Sequence, residues 1–235
     1  MLEPWALGVF TSVDAGLGAG LAAVKELGLP SVQLHAPSPE SRGRAAEIRR
    51  QFADAGITVT VVFCGFDGES YADIPTVKKT IGLVPEETYA ERLAETKAIS
   101  DFAAALGVEA IGMHIGFVPE EDDDPVFARV VAAAQEVCDY CAGHDQRFHL
   151  ETGQETGPAL LNFFQAVNRP NLAINFDPAN MILYGSGEPI EALRLVGGHV
   201  RSCHCKDATW SDQPGVTWGA ETPLGEGAVG IETYL

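Results

Sequence analysis

Apolar and polar positions along the chain follow two rhythms. Short β-like runs fall at Trp5–Phe10, Ser31–His35, Ile57–Phe63, Val108–Ile115, Arg147–Glu151, Leu172–Asp177 and Val200–Lys206. Between them lie longer segments whose apolar residues recur three and four apart: Leu17–Leu27, Glu40–Ala55, Glu87–Leu106, Pro125–Ala142, Gly157–Val167 and Pro189–Val196. The first rhythm predicts strands, the second amphipathic helices. Gly28, Gly56 and Gly107 stand where the first three helices should stop, a common place for glycine. Seven strand–helix units with no linker between them predict parallel βαβ winding in one domain spanning 1–235.

Two architectures accept this pattern, an open doubly wound sheet and a (β/α)8 barrel. Gly16, Gly18 and Gly20 alternate at a helix start and do not form the GxGxxG turn of a dinucleotide-binding sheet. A barrel explains why polar residues collect at the C-terminal ends of the strands, where barrel active sites are built. The count falls one short: after Lys206 comes a loop, then Gly227–Leu235 reads as the opening of a helix. The expectation is an α/β barrel ending before its eighth strand. The connection Cys64–Glu87, punctuated by Gly65, Gly68, Pro75 and Pro85, is long enough to be a lid, a binding loop or a plain surface insertion.

Charge narrows the partners. Fifteen Lys and Arg against 33 Asp and Glu give a formal charge of −18, which repels nucleic-acid backbones and anionic lipid. A small phosphorylated ligand stays open, because a few local cations suffice for one. No apolar run reaches the roughly 18 residues of a spanning helix, and no basic start followed by an apolar stretch marks a signal peptide. Five cysteines, an odd number in a large domain, imply no disulfide framework, and a reducing cytoplasm is the expected location. Cys138 and Cys141 form a CxxC inside a helical pattern with no second pair, which reads as buried core cysteines before it reads as a metal or redox site.

The chemistry sits at the strand ends, which read Met113-His114-Ile115-Gly116, Phe148-His149-Leu150-Glu151, Phe176-Asp177-Pro178-Ala179-Asn180 and Cys203-His204-Cys205-Lys206. Glu151, Asp177 and His204 are 26 and 27 residues apart, one βα unit each, so a barrel places them side by side on one rim. Two carboxylates and an imidazole suit Mn²⁺, Mg²⁺, Co²⁺ or Zn²⁺. Taken singly, each has a plainer reading: Glu151 as a capping or salt-bridged residue, Asp177 before Pro178 as a turn or cap, His204 as a satisfied core histidine. His114, His35 and Lys206 are candidates to touch a substrate. So is Trp210, which with Trp218, Trp5 and Phe10 could wall a sugar pocket; core packing explains Trp5 and Phe10 equally well. His149, two residues before Glu151, shares its inward parity one layer deeper and reads as a packed polar core residue.

The HLET, NFDPAN and HCKD strings, followed by Pro223-Leu224-Gly225-Glu226-Gly227, resemble the xylose-isomerase-like TIM-barrel superfamily, which holds sugar and sugar-phosphate isomerases and epimerases. The resemblance implies that Glu151, Asp177 and His204 bind a divalent metal and that Glu151 doubles as acid/base in a proton transfer through a metal-stabilised enediolate. It implies a fourth ligand, a Glu on an eighth strand; Glu226 and Glu232 precede that strand and do not fill the role. Many relatives carry His where this chain has Asn180, and the third strand ends Phe63-Cys64 without one. The extra histidines of three-zinc relatives such as endonuclease IV are missing, which with the −18 charge argues against DNA repair. A dehydratase acting on an inosose or keto sugar, and a non-catalytic barrel that binds a sugar or metal, are the competing readings. Barrel relatives often form dimers or tetramers, so a homo-oligomer is open.

Overall fold

The computed structural model describes residues 5–235. Seven strands, β1 Gly8–Thr11, β2 Ser31–His35, β3 Thr58–Phe63, β4 Ala110–Met113, β5 Arg147–Glu151, β6 Leu172–Phe176 and β7 Val200–Cys203, pair parallel and in chain order. The helices between them are α1 Leu21–Glu26, α2 Pro39–Arg42, α3 Ala45–Asp54, α4 Ile74–Thr80, α5 Glu86–Leu106, α6 Pro125–Ala142, α7 Gly157–Val167, α8 Pro178–Tyr184 and α9 Pro189–Val196. An antiparallel hairpin, β8 Asp207–Thr209 and β9 Ala220–Thr222, and a last turn, α10 Ile231–Tyr234, follow β7.

The sheet curls. β2 and β6 are four strands apart, about 19 Å if the sheet were flat. Yet the Gln33 side chain on β2 donates to Asn175 Oδ1 on β6 at 3.0 Å. This is a TIM barrel that is not fully closed: among the described residues β1 and β7 do not pair.

Strand alternation sorts the side chains. Val32, Leu34, Ile111, Met113, Phe148, Leu150, Ile174 and Phe176 point outward into the main core, where Ile48, Phe52, Ile99, Phe102, Val130, Val137 and Phe163 of the helices meet them. Burying each such side chain contributes about 1.5–3 kcal/mol. Cys138 and Cys141 are fully buried members of this core, and all five cysteines are free. Burial pushes the Cys141 thiol up to about 11, against an opposing hydrogen bond with Ser100. Inside the barrel Phe10, Val61, Phe63 and Ala110 form a small separate cluster. Gly112 makes room for it: a Cβ there would stand 2.9 Å from the Phe63 ring.

Several elements differ from the sequence expectation. The first strand starts at Gly8, and Trp5 is 60% exposed. Gly43 splits the second helical stretch into α2 and α3. The sixth strand ends at Phe176, one residue short, and of the two plain readings of Asp177 the cap holds: it caps α8, its side chain accepting from the Asn180 N–H, with Pro178 pre-set in the first turn. The long connection after β3 holds α4 and is clamped. Buried Arg92 donates to the carbonyl oxygens of Thr80 at 2.7 Å, Gly82 at 2.9 Å and Asp67 at 3.2 Å, which fixes the segment as a wall. No helix among the described residues is long and apolar enough to cross a membrane.

Candidate functional site

Glu151 is the last residue of β5, Asp177 follows β6, and His204 follows β7, where its backbone N–H extends the ladder to the Phe176 carbonyl oxygen at 2.9 Å. Inward parity aims all three side chains at one point. His204 Nδ1 lies 2.8 Å from Glu151 Oε1 and 3.3 Å from Asp177 Oδ2. One ligand atom from each of the three lies within 4.8 Å of the others. Asp177 is fully buried and divides its oxygens. Oδ1 takes the Asn180 N–H at 3.0 Å, while Oδ2 faces His204. Asn180 itself is occupied, its side-chain amide donating to the Thr152 carbonyl oxygen at 3.0 Å.

Two carboxylates this close demand a positive charge between them. Burial opposes the imidazolium, but hydrogen bonds and charges from Asp177 and Glu151 outweigh it and push His204 up to about 9. On the far side of the ring, His204 Nε2 lies 2.6 Å from Gln33 Oε1. Lys206 Nζ sits 3.6 Å from Asp177 Oδ2 and 2.7 Å from Glu221 Oε1 of β9, so it screens Asp177 from behind.

In front of Glu151 and His204 opens a cavity of about 260 Å³. Phe10 and Phe63 form one wall, and their rings stand edge-on and tilted against His204 at 6.5 Å and 5.5 Å. Cys64, Gly65, Glu69 and Tyr71 of the clamped connection form another. Glu69 serves its own loop, accepting from Gly82 N–H at 2.8 Å and Phe66 N–H at 3.1 Å. His35 and His114 complete the lining. Nδ1 of His114 accepts the Gly116 N–H at 3.1 Å, which leaves the proton of the neutral ring on Nε2, facing the Tyr184 hydroxyl at 3.2 Å. Burial holds His114 below the usual histidine value.

The structure thus brings Glu151, Asp177, His204, His114 and His35 to one place. It puts Trp210 elsewhere: half-buried against Ala179, Ile182, Ala208 and Val229, it faces a separate surface concavity beside the β8–β9 hairpin. Trp218 packs on Tyr184 at 4.6 Å between ring centres. His149 lies below Glu151 with Nδ1 on the Ser202 hydroxyl at 2.9 Å, and burial pushes it down to about 4. Sequence reasoning missed Gln33, Phe63 and Tyr71. The signal for Gln33 was present: it is a polar residue inside an apolar strand, on the same parity as His35.

Comparisons with known proteins agree with this fold. A model of the xylose isomerase-like TIM barrel family matches residues 21–235. A xylose isomerase domain protein from Planctomyces limnophilus is 57% identical, with a TM-score of 0.95; the match covers 98% of this chain and 84% of that one. A xylose isomerase-like TIM barrel protein from Mycobacterium smegmatis, solved in complex with magnesium, superposes with a TM-score of 0.66 at 20% identity, over 89% of this chain and 72% of that one. A D-psicose 3-epimerase from Clostridium cellulolyticum H10, solved with D-tagatose, gives a TM-score of 0.64 at 18% identity, over 85% and 72%. The last two likenesses speak to the fold alone. No curated protein matches the chain. The family match over most of the sequence, on a barrel whose strand ends converge on one acidic rim, establishes that this chain belongs to the xylose isomerase-like TIM barrel family.

Proposed function

We propose that the chain is a divalent-metal-dependent isomerase or epimerase of a small sugar. The observation that carries this reading is the convergence of Glu151, Asp177 and His204 within 4.8 Å at the edge of a cavity. Their spread is close to the roughly 3–4.4 Å that separates ligands of one small divalent ion. The same two carboxylates raise His204 to about 9, which is the response of a site rich in negative charge, and two carboxylates with an imidazole form a donor set that suits a divalent ion. A bound metal supplies Lewis-acid polarisation of a carbonyl, which lowers the pKa of the neighbouring C–H.

The protein's own groups divide the remaining work. Asp177, buried and committed to the α8 cap, holds position. Glu151 lines the cavity and is the group placed to take a proton from the carbon next to a carbonyl. Returning that proton to the adjacent carbon interconverts an aldose and a ketose; return on the opposite face inverts the carbon. His114, neutral and oriented by Gly116, lines the cavity, where its Nε2–H can exchange the Tyr184 hydroxyl for a substrate oxygen, and Phe10 and Phe63 cover apolar C–H surface. At about 260 Å³ the cavity lies below the roughly 300–1,000 Å³ of drug-sized pockets and suits a small polyol. Among the described residues its lining holds no Lys or Arg, which favours an unphosphorylated sugar over a sugar phosphate.

The test is a panel of ketohexoses and aldoses, free and phosphorylated, incubated with Mn²⁺-loaded protein in D₂O and followed by proton NMR. The reading expects deuterium at a carbon next to the carbonyl with the skeleton kept, and loss of both exchange and bound Mn²⁺ in Glu151→Gln. Loss of water from the substrate would instead indicate a dehydratase. A Glu151→Gln protein that keeps its full metal content would refute the ligand assignment.

A further inference from the structure

The parallel ladder slips register at two places. On β2 paired with β3 the slip falls between Val32 and Gln33, where Thr60 is the extra residue and its hydroxyl donates to the Val32 carbonyl oxygen at 3.1 Å. On β6 paired with β7 it falls between Ile174 and Asn175, where Arg201 is the extra residue. Bulges re-aim the side chains beside them and gather near active sites. Here the residues of β2 and β6 that stand opposite the two slips meet across the barrel, Gln33 Nε2 donating to Asn175 Oδ1 at 3.0 Å. The other end of the Gln33 amide presents Oε1 to His204 Nε2 at 2.6 Å.

The consequence is directional. An amide oxygen only accepts, so it holds a proton on His204 Nε2 and turns the Nδ1 edge toward Glu151 and Asp177. Asn175 is fully buried, and its Oδ1 accepts the Gln33 amide N–H, which leaves Gln33 Oε1 for His204. We propose that Gln33 is the positioning residue that fixes the tautomer and ring orientation of His204, so that Nδ1 is the ligand atom offered to a divalent cation. This rests on the metal-binding reading above. It adds a residue from a strand remote in sequence, acting through the far nitrogen of the imidazole in the way outer groups orient metal-bound histidines.

Two variants separate the role from general packing. Gln33→Leu keeps the bulk and removes the acceptor. Gln33→Glu keeps an acceptor for the Nε2 proton, and the Asn175 Nδ2 amide, which lacks a partner, can turn to meet it. Mn²⁺ titration of the purified proteins is expected to show affinity weakened roughly 10–100-fold in Gln33→Leu and retained in Gln33→Glu. ¹⁵N spectra of histidine-labelled protein, alone at a pH above about 10 where the His204 ring is neutral and also loaded with Zn²⁺, are expected to show the single His204 proton on Nε2 in the wild type and a mixed population in Gln33→Leu.

A folded Gln33→Leu with wild-type affinity and unchanged His204 signals overturns the proposal. So does a wild-type spectrum with Nε2 unprotonated. If Gln33→Leu fails to fold, the other variant decides, because a loss of Mn²⁺ affinity in Gln33→Glu contradicts the acceptor role. If the wild type binds no Mn²⁺ at all, the proposed function fails, while the position of the His204 proton still settles the role of Gln33.

Discussion

Removing His204 should flatten the pH dependence of stability between pH 7 and 9. In the fold its pKa is about 9, against an ordinary value of 6.5. A group whose folded pKa is raised stabilises the fold fully below its unfolded pKa and loses that contribution as pH climbs through the folded value. At about 1.4 kcal/mol per tenfold, the rise amounts to about 3 kcal/mol in all, of which about 2 kcal/mol disappears between pH 7 and 9. The other strongly perturbed groups are common to wild type and His204→Gln, so their contributions cancel in the comparison. His149 sits near 4, and Glu155, a buried carboxyl in the loop after β5, is pushed by burial to about 7. The assay is urea unfolding in EDTA at pH 7, 8 and 9 for wild type, His204→Gln and Glu151→Gln. The wild type should lose about 2 kcal/mol across the series relative to His204→Gln, with Glu151→Gln in between. Parallel profiles for wild type and His204→Gln would refute the view that the two carboxylates hold a proton on this ring.

Three further outcomes follow from other residues. Gly153→Ala would place a methyl 2.5 Å from His114 Nε2 and push the ring off Tyr184, so KM should rise while Mn²⁺ affinity holds; unchanged KM would remove His114 from the substrate site. Asp207 takes four backbone N–H groups on its two oxygens, from Ala208, Gly225, Gly227 and Val229, at 2.9–3.1 Å. Asp207→Asn turns an amide against two of those donors and should cost about 2–4 kcal/mol in urea unfolding. Trp210→Ala should leave both KM and Mn²⁺ affinity unchanged, because the indole faces another surface; a large rise in KM would place it back at the sugar.

The legible part of this molecule is its periodicity. Alternation within strands and one βα unit of spacing were enough to set Glu151, Asp177 and His204 on one rim, and the C′ glycines 28, 56 and 107 all adopt positive φ, from 67° to 79°. What escaped depends on closure and on short elements. Gln33 reaches His204 only because the sheet curls, and no local pattern encodes a contact 171 positions away. The strands of the β8–β9 hairpin are three residues each and are fixed by the Asp207 carboxylate, so periodicity had nothing to register. The position of Trp210 follows from that hairpin. Helix α8 was hidden because Asp177-Pro178 reads equally as a turn.

Asp177 shows how narrowly folding and chemistry are separated in this barrel. One oxygen secures the first turn of a helix; the other supplies charge to the rim. Asparagine there would keep the first duty and drop the second, exchanging a single oxygen for an amino group. The α8 cap would survive that exchange, while one negative charge would leave the rim.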